Sequence, residues 1–139
     1  MRFVLDNSVA MRWLLGDGTA KTLAYASHIL DLLSDGAEAL APCIWPLEAA
    51  NVIVKAEFKG LITEARGAEF IALLRNLAIT PDASTYHHAM ADTLQIAKRY
   101  RLSSYDAAYL ELALREGLSF ATLDEALIKA CKKSGVKLA

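Results

Sequence analysis

Short apolar runs alternate with longer stretches of helical periodicity along the whole chain, and that alternation narrows the fold more than any other feature. Phe3-Val4-Leu5, Ala39-Leu40-Ala41 and Ser119-Phe120-Ala121 read as buried strands. Asn7 or Ser8 is placed to cap a helix running to Gly16, and Thr19 to Leu33 reads as a second helix. Trp45 to Lys59 is a third, with Pro46 in its first turn, where a missing N–H does no harm. Further helices are expected over Thr63–Asn76, over Ala83–Tyr100, and from a Ser103 or Ser104 cap to Gly117. Thr122 is expected to cap a last helix through Ala130. Leu77-Ala78-Ile79 is a short apolar run before a turn at Thr80-Pro81-Asp82, and Val136-Lys137-Leu138 is a candidate edge strand. Strands separated by helices predict a parallel sheet covered by helices.

A chain of 139 residues suits one domain, taken here as residues 1–139. Its 55% hydrophobic content exceeds the usual share of about 45–50%. The excess points to a subunit or partner interface. With 15 basic and 16 acidic residues, net charge does not announce a nucleic-acid binder, and local patches must decide. Cys43 and Cys131 have neither CxxC spacing nor a neighbouring histidine, which argues against a disulfide framework or zinc. Asp6 interrupts any signal-peptide core, and no stretch approaches the roughly 18 apolar residues of a membrane span. The expected setting is the cytoplasm, with no membrane partner.

In a parallel sheet, ligands gather beyond the carboxyl ends of the strands. Four acids fall at such places. Asp6 ends the first strand; Glu48, in PLEAANVI, opens a helix; Asp106, in SSYDAAYLELA, opens another; Asp124, in ATLDEAL, follows the Ser119–Ala121 strand. Each has a local explanation as a cap or a dipole-compensating charge. Their neighbours are apolar, however, and Arg12 is the one basic residue within a few positions. Carboxylates brought together in such surroundings repel one another unless a cation joins them. An all-oxygen set selects Mg²⁺ or Mn²⁺ over zinc. That chemistry serves phosphoryl transfer.

These residues carry a family likeness. From VLDNSVAM through PLEAANVI to LSSYDAAYLELALREGLSFATLDEALIKACKKSGVKL, the chain resembles the PIN-domain ribonucleases, most closely the VapC-type toxins of toxin–antitoxin pairs. The resemblance implies a PIN-like three-layer α/β sandwich with a central parallel sheet of four or five strands. It implies RNA cleavage dependent on Mg²⁺ or Mn²⁺, with one ion or two. Carried over by position, Asp6 and Asp106 hold the metal directly, Asp124 holds it directly or through water, and Glu48 holds a second ion or orients the attacking water. Ser8 and Thr122 match supporting hydroxyl positions, and Asn51 lies one helical turn from Glu48. The likeness further implies a homodimer, an antitoxin partner that covers the active site, and a structured RNA substrate.

Candidates for RNA contact are Arg12, the Lys98, Arg99 and Arg101 cluster, and Lys129, Lys132 and Lys133, although each cluster reads more readily as a solvated helix face. His87 and His88 read as surface residues; Tyr109 reads as core packing, and Tyr105 as packing or a base-stacking platform. A haloacid-dehalogenase-like phosphatase needs an aspartate where Ser8 stands, and a receiver domain needs a late-strand lysine that Ser119–Ala121 lacks. The remaining alternative is a PIN-fold adaptor that binds RNA or protein without cutting. Such relatives tend to lose acids, whereas all four positions are acidic here.

Overall fold

A computed structural model describes all 139 residues. Strand β1 (Arg2–Leu5) leads into α1 (Asn7–Leu15) and α2 (Ala20–Ser34), and β2 (Glu38–Pro42) into α3 (Trp45–Phe58) and α4 (Glu64–Asn76). Then come β3 (Ile79–Asp82), α5 (Thr85–Ala89), α6 (Asp92–Tyr100), α7 (Ser104–Glu116), β4 (Ser119–Ala121) and α8 (Glu125–Ser134). The four strands form one sheet in the order β3-β2-β1-β4. All three pairings are parallel, with Phe3 opposite both Ala39 and Ser119 and Leu5 opposite Ala121. The eight helices flank this sheet, as an α/β sandwich requires.

The sheet is central because β1, one of its two inner strands, is apolar on both faces. Phe3, Val4 and Leu5 are fully buried, as are Phe120 and Ala121 beside them. Fully burying side chains of this size contributes about 1.5–3 kcal/mol each. Local signals then fix where helices begin. Thr19 and Thr22 form a reciprocal capping box at the start of α2, and Ser103 accepts the Asp106 N–H at the start of α7. Gly16 closes α1 in the left-handed region, with φ 64°, donating its N–H to the Arg12 carbonyl at 3.0 Å.

Three expectations change. Thr80-Pro81-Asp82 is not a turn but most of β3, paired with β2 through Leu40, Ala41 and Pro42. A proline is tolerated there because β3 is an edge strand and its missing donor leaves no ladder position empty. The stretch 83–100 is two helices rather than one: α5 ends at Ala89, and α6 begins at Asp92. No glycine or proline marks that break, so periodicity runs straight through it. Val136–Leu138 contributes a single parallel bridge, Leu138 to Phe120, rather than a full strand.

A charged network ties β3 and α5 to α7. The Arg115 guanidinium donates to Glu111 Oε1 at 2.8 Å and to Asp82 Oδ2 at 2.6 Å. His88 Nδ1 lies 3.2 Å from Asp92 Oδ2 and 3.6 Å from Glu111 Oε1. His88 is therefore a part-buried member of this network, not the surface residue expected from sequence.

Candidate active site

The register of β1 against β4 sets the site. Asp6 lies one residue past Leu5, and its N–H donates to the Ala121 carbonyl at 2.9 Å. This brings the ends of β1 and β4 side by side, with Thr122 against Asp6. Asp6 occupies the N-cap position of α1, yet its side chain makes no capping bond. Instead Oδ2 accepts from Ser8 Oγ at 2.6 Å and from Thr122 Oγ1 at 2.8 Å. Those hydroxyls are held in turn, since Ser8 Oγ accepts the Leu123 N–H at 3.0 Å and Thr122 Oγ1 accepts the Asp124 N–H at 3.1 Å. No protein donor reaches Oδ1. The residue is only 5% exposed.

Burial pushes the Asp6 carboxyl up from 3.8 to about 6, against the two hydroxyl bonds that favour its charge. Asp106 and Glu48 push in the same direction by repulsion. Glu48 is raised by burial and by Asp106, and Asp106 by burial and by Asp124. These mutual effects connect all four carboxyls into one electrostatic group. None of the molecule's ion pairs includes any of the four.

Each acid also keeps an uncommitted oxygen. Glu48 Oε1 accepts the Tyr109 hydroxyl at 2.6 Å, leaving Oε2. Asp124 Oδ1 caps α8 by accepting the Leu127 N–H at 2.9 Å, leaving Oδ2. The cap of α8 is thus Asp124, not Thr122 as the sequence pattern suggested, because the Thr122 hydroxyl is turned to Asp6. Ser103 Oγ accepts the Asp106 backbone N–H at 3.1 Å, and the same hydroxyl lies close enough to the Asp106 carboxyl to lower it in part against burial and Asp124. Asn51 is exposed and its amide bonds none of the acids.

Tyr109 packs in the core as the sequence suggested, and its hydroxyl makes a contact with Glu48 that the sequence did not reveal. It is fully buried and stacks on Phe120 with centroids 6.0 Å apart, while its hydroxyl reaches Glu48. Its three-residue offset from Asp106 puts both on one face of α7, which is the only signal the sequence offers.

The donor set fits a hard divalent cation. It is made only of oxygens, it lacks a compensating protein cation, and at least one member is almost fully removed from water. The four carboxyls are nonetheless spread wider than the tightest cluster in the molecule. That cluster is His88, Asp92 and Glu111, whose ligand atoms lie within 4.8 Å of one another. Arg115 already neutralises Glu111 there, so the grouping reads as an ionic network rather than a metal centre.

A parallel sheet covered by helices on both faces, with Asp6 and Asp124 just past the carboxyl ends of β1 and β4, defines an α/β protein of the class whose ligands bind at that edge. The family description "PIN domain" matches this chain over residues 3–133. The chain belongs to the PIN-domain family, whose members are generally nucleases. Two solved structures share the fold. PAE2754 from Pyrobaculum aerophilum superimposes with TM-score 0.65 at 20% identity, covering 94% of this chain and 87% of its own. VapBC2 from Rickettsia felis, bound to a DNA fragment from its promoter, gives TM-score 0.66 at 12% identity, covering 100% and 98%. No curated protein sequence matches the chain.

Proposed function

We propose that this chain is a divalent-metal-dependent endoribonuclease, the toxin of a toxin–antitoxin pair, acting in the cytoplasm as one PIN unit over residues 1–139. The observation that carries the proposal is Asp6: a buried carboxylate held through Oδ2 by two hydroxyls, with Oδ1 uncommitted and two further acids, Asp106 and Glu48, acting on it. A group left in that state is poorly placed to stabilise the fold and well placed to ligate.

Asp6, Asp106, Asp124 and Glu48 are the residues that would hold Mg²⁺ or Mn²⁺. The ion supplies Lewis-acid polarisation of a phosphodiester and offsets the negative charge that builds during its hydrolysis. Ser8 and Thr122 fix the Asp6 carboxylate so that Oδ1 is presented in one orientation. Tyr109 does the same for Glu48 by engaging Oε1 and turning Oε2 outward. Asp106 presents its carboxylate from the first turn of α7.

The helix that carries Glu48 also carries an exposed apolar surface. Leu47, Val54 and Phe58 lie on one exposed face of α3, at spacings of seven and four residues, and Leu61 follows them. Leu47 is 71% and Phe58 87% exposed. Such a stripe suits a second copy of the chain or an antitoxin. The fold shared with VapBC2 supports the antitoxin assignment.

The test is cleavage of a structured RNA such as transfer RNA by purified protein. Activity with Mg²⁺ or Mn²⁺, stopped by EDTA, restored by added ion, and absent in Asp6→Asn is the expected result. Cleavage that persists in excess EDTA overturns the metal mechanism. RNA binding without cleavage under any ion supports the adaptor instead.

A further inference from the structure

Bordering the acidic group is a cavity of about 340 Å³ that shares only Asp124 with the four acids. Its wall includes Ser8, Arg12, Gly18, Thr19, Thr22 and Asp124. Ser8 and Asp124 also belong to the acid site, so the two spaces share a border. Arg12 is the only cation on that wall. We propose that this cavity holds an RNA backbone phosphate next to the one being cut, with Arg12 as its cationic ligand. The inference rests on the ribonuclease reading above and refines it.

Three features prepare the cavity for an anion. First, the Arg12 guanidinium is only loosely committed. Nη1 lies 3.0 Å from Asp17 Oδ1 and donates to the Asp17 carbonyl at 3.2 Å, and Nη2 has no partner. Asp17 itself is 59% exposed, so solvent screens its hold on Arg12. A phosphate can displace Asp17 or share the guanidinium with it, because arginine's planar fork offers several donors.

Second, the start of α2 stands at the rim. Thr19 is its N-cap, and the Thr19–Thr22 capping box fixes the first turn. The positive end of a 15-residue helix favours negative charge there. Third, Gly18 keeps the space open. A Cβ at Gly18 would meet Thr22 Oγ1 at 2.7 Å and Arg12 Nη1 at 3.6 Å, and the backbone φ of 115° also disfavours a side chain. Asp124 opposes an anion, but its Oδ1 is committed to the Leu127 N–H.

A phosphate in this cavity would continue the RNA backbone away from the acids towards α2. Only one phosphate contact is at stake, so the effect is on affinity and salt dependence, not on chemistry. The experiment uses full-length protein carrying Asp6→Asn, which is expected not to cut, and a fluorescent single-stranded oligoribonucleotide titrated in Mg²⁺ at several salt concentrations. Adding Arg12→Gln is expected to weaken binding about tenfold at low salt and to reduce the slope of log K against log salt by about 0.7. Adding Arg12→Lys should restore most of the slope and part of the affinity. Asp17→Asn should tighten binding severalfold, and only while Arg12 is present. Asp35→Asn, at the other end of α2, should change neither quantity. In the cutting enzyme, Arg12→Gln should raise KM with kcat within about twofold.

An unchanged slope in Arg12→Gln, or an Asp17→Asn gain that survives it, overturns the subsite while leaving the nuclease intact. Tighter binding in Asp35→Asn equal to that in Asp17→Asn does the same, since it shows a general charge effect. If inorganic phosphate protects the cavity while RNA affinity ignores Arg12, the site takes free anions and the proposal fails. Should Arg12→Gln not fold, the Asp17→Asn and Arg12→Lys results decide alone. No RNA binding and no cleavage by the parent protein overturn both this proposal and the function it refines.

Discussion

Replacing Asp6 by asparagine should stabilise the metal-free protein while removing its activity. The folded state holds the Asp6 carboxyl at about 6 instead of 3.8, chiefly through burial. Since each tenfold change in an equilibrium is about 1.4 kcal/mol, that difference amounts to about 3 kcal/mol. The direction follows from proton linkage. A raised acid in the folded state binds its proton more tightly than the unfolded chain does. Its contribution to stability is complete below pH 3.8 and is lost as pH climbs through 6. Asparagine has no such loss, and its amide oxygen still accepts from Ser8 and Thr122. In EDTA at pH 7.5, Asp6→Asn should therefore be more stable by about 1–3 kcal/mol, raising the melting temperature by roughly 3–10 °C. At pH 4 the two proteins should melt within about 1 kcal/mol of each other. Saturating Mn²⁺ should stabilise the wild type alone and narrow or reverse the gap. Urea melts at both pH values with and without metal give all four comparisons. A variant that melts below wild type by the same margin at pH 4 and pH 7.5 in EDTA would refute the reasoning, because the carboxylate would then be a structural acceptor rather than a desolvated ligand.

Three further outcomes are expected. Asp106→Asn should lose most RNA cleavage yet melt no lower than wild type in EDTA, since burial and repulsion by Asp124 outweigh the opposing Ser103 hydrogen bond at its carboxyl; a clear drop in melting temperature would make it structural. Tyr109→Phe keeps the ring on Phe120 but removes the 2.6 Å donor to Glu48, so kcat should fall about tenfold with stability changed by about 1 kcal/mol. Combining it with Glu48→Gln should add nothing to the loss from Glu48→Gln alone, and additive losses would show that the tyrosine acts elsewhere. Arg115→Met strands the buried Glu111 carboxylate and Asp82, and urea denaturation should report a loss of about 3 kcal/mol; a loss under about 1 kcal/mol would show the network to be idle.

Much of the strand–helix order was legible because its causes are local. Phe3-Val4-Leu5 is too apolar to lie anywhere but inside, and the caps at Thr19 and Ser103 name their helices within three residues. What escaped was set by distance along the chain. The Tyr109–Glu48 bond spans 61 residues and the Arg115–Asp82 pair 33, and no periodicity encodes either. β3 escaped for a different reason. Pro81 reads as a turn in isolation and becomes acceptable only because the strand lies at the sheet edge, which is a property of the sheet.

The four acids show why position alone was ambiguous. Every one sits where a strand ends or a helix begins, so capping and ligation predict the same residue type at the same place. The atoms separate the two roles. Asp6 stands at an N-cap and does not cap; it spends one oxygen on two hydroxyls from Ser8 and Thr122. Thr122, whose spacing to Glu125 fits a capping box, gives its proton to Asp6, and the cap passes to Asp124 two residues later. Asp124 then performs the local task with Oδ1 and retains Oδ2. A substitution that spares the cap but removes the charge, Asp124→Asn, thus separates the roles: the amide oxygen can still accept the Leu127 N–H, so helix α8 should hold while metal affinity falls. Lost helix stability with unchanged Mn²⁺ binding would return Asp124 to the capping role alone.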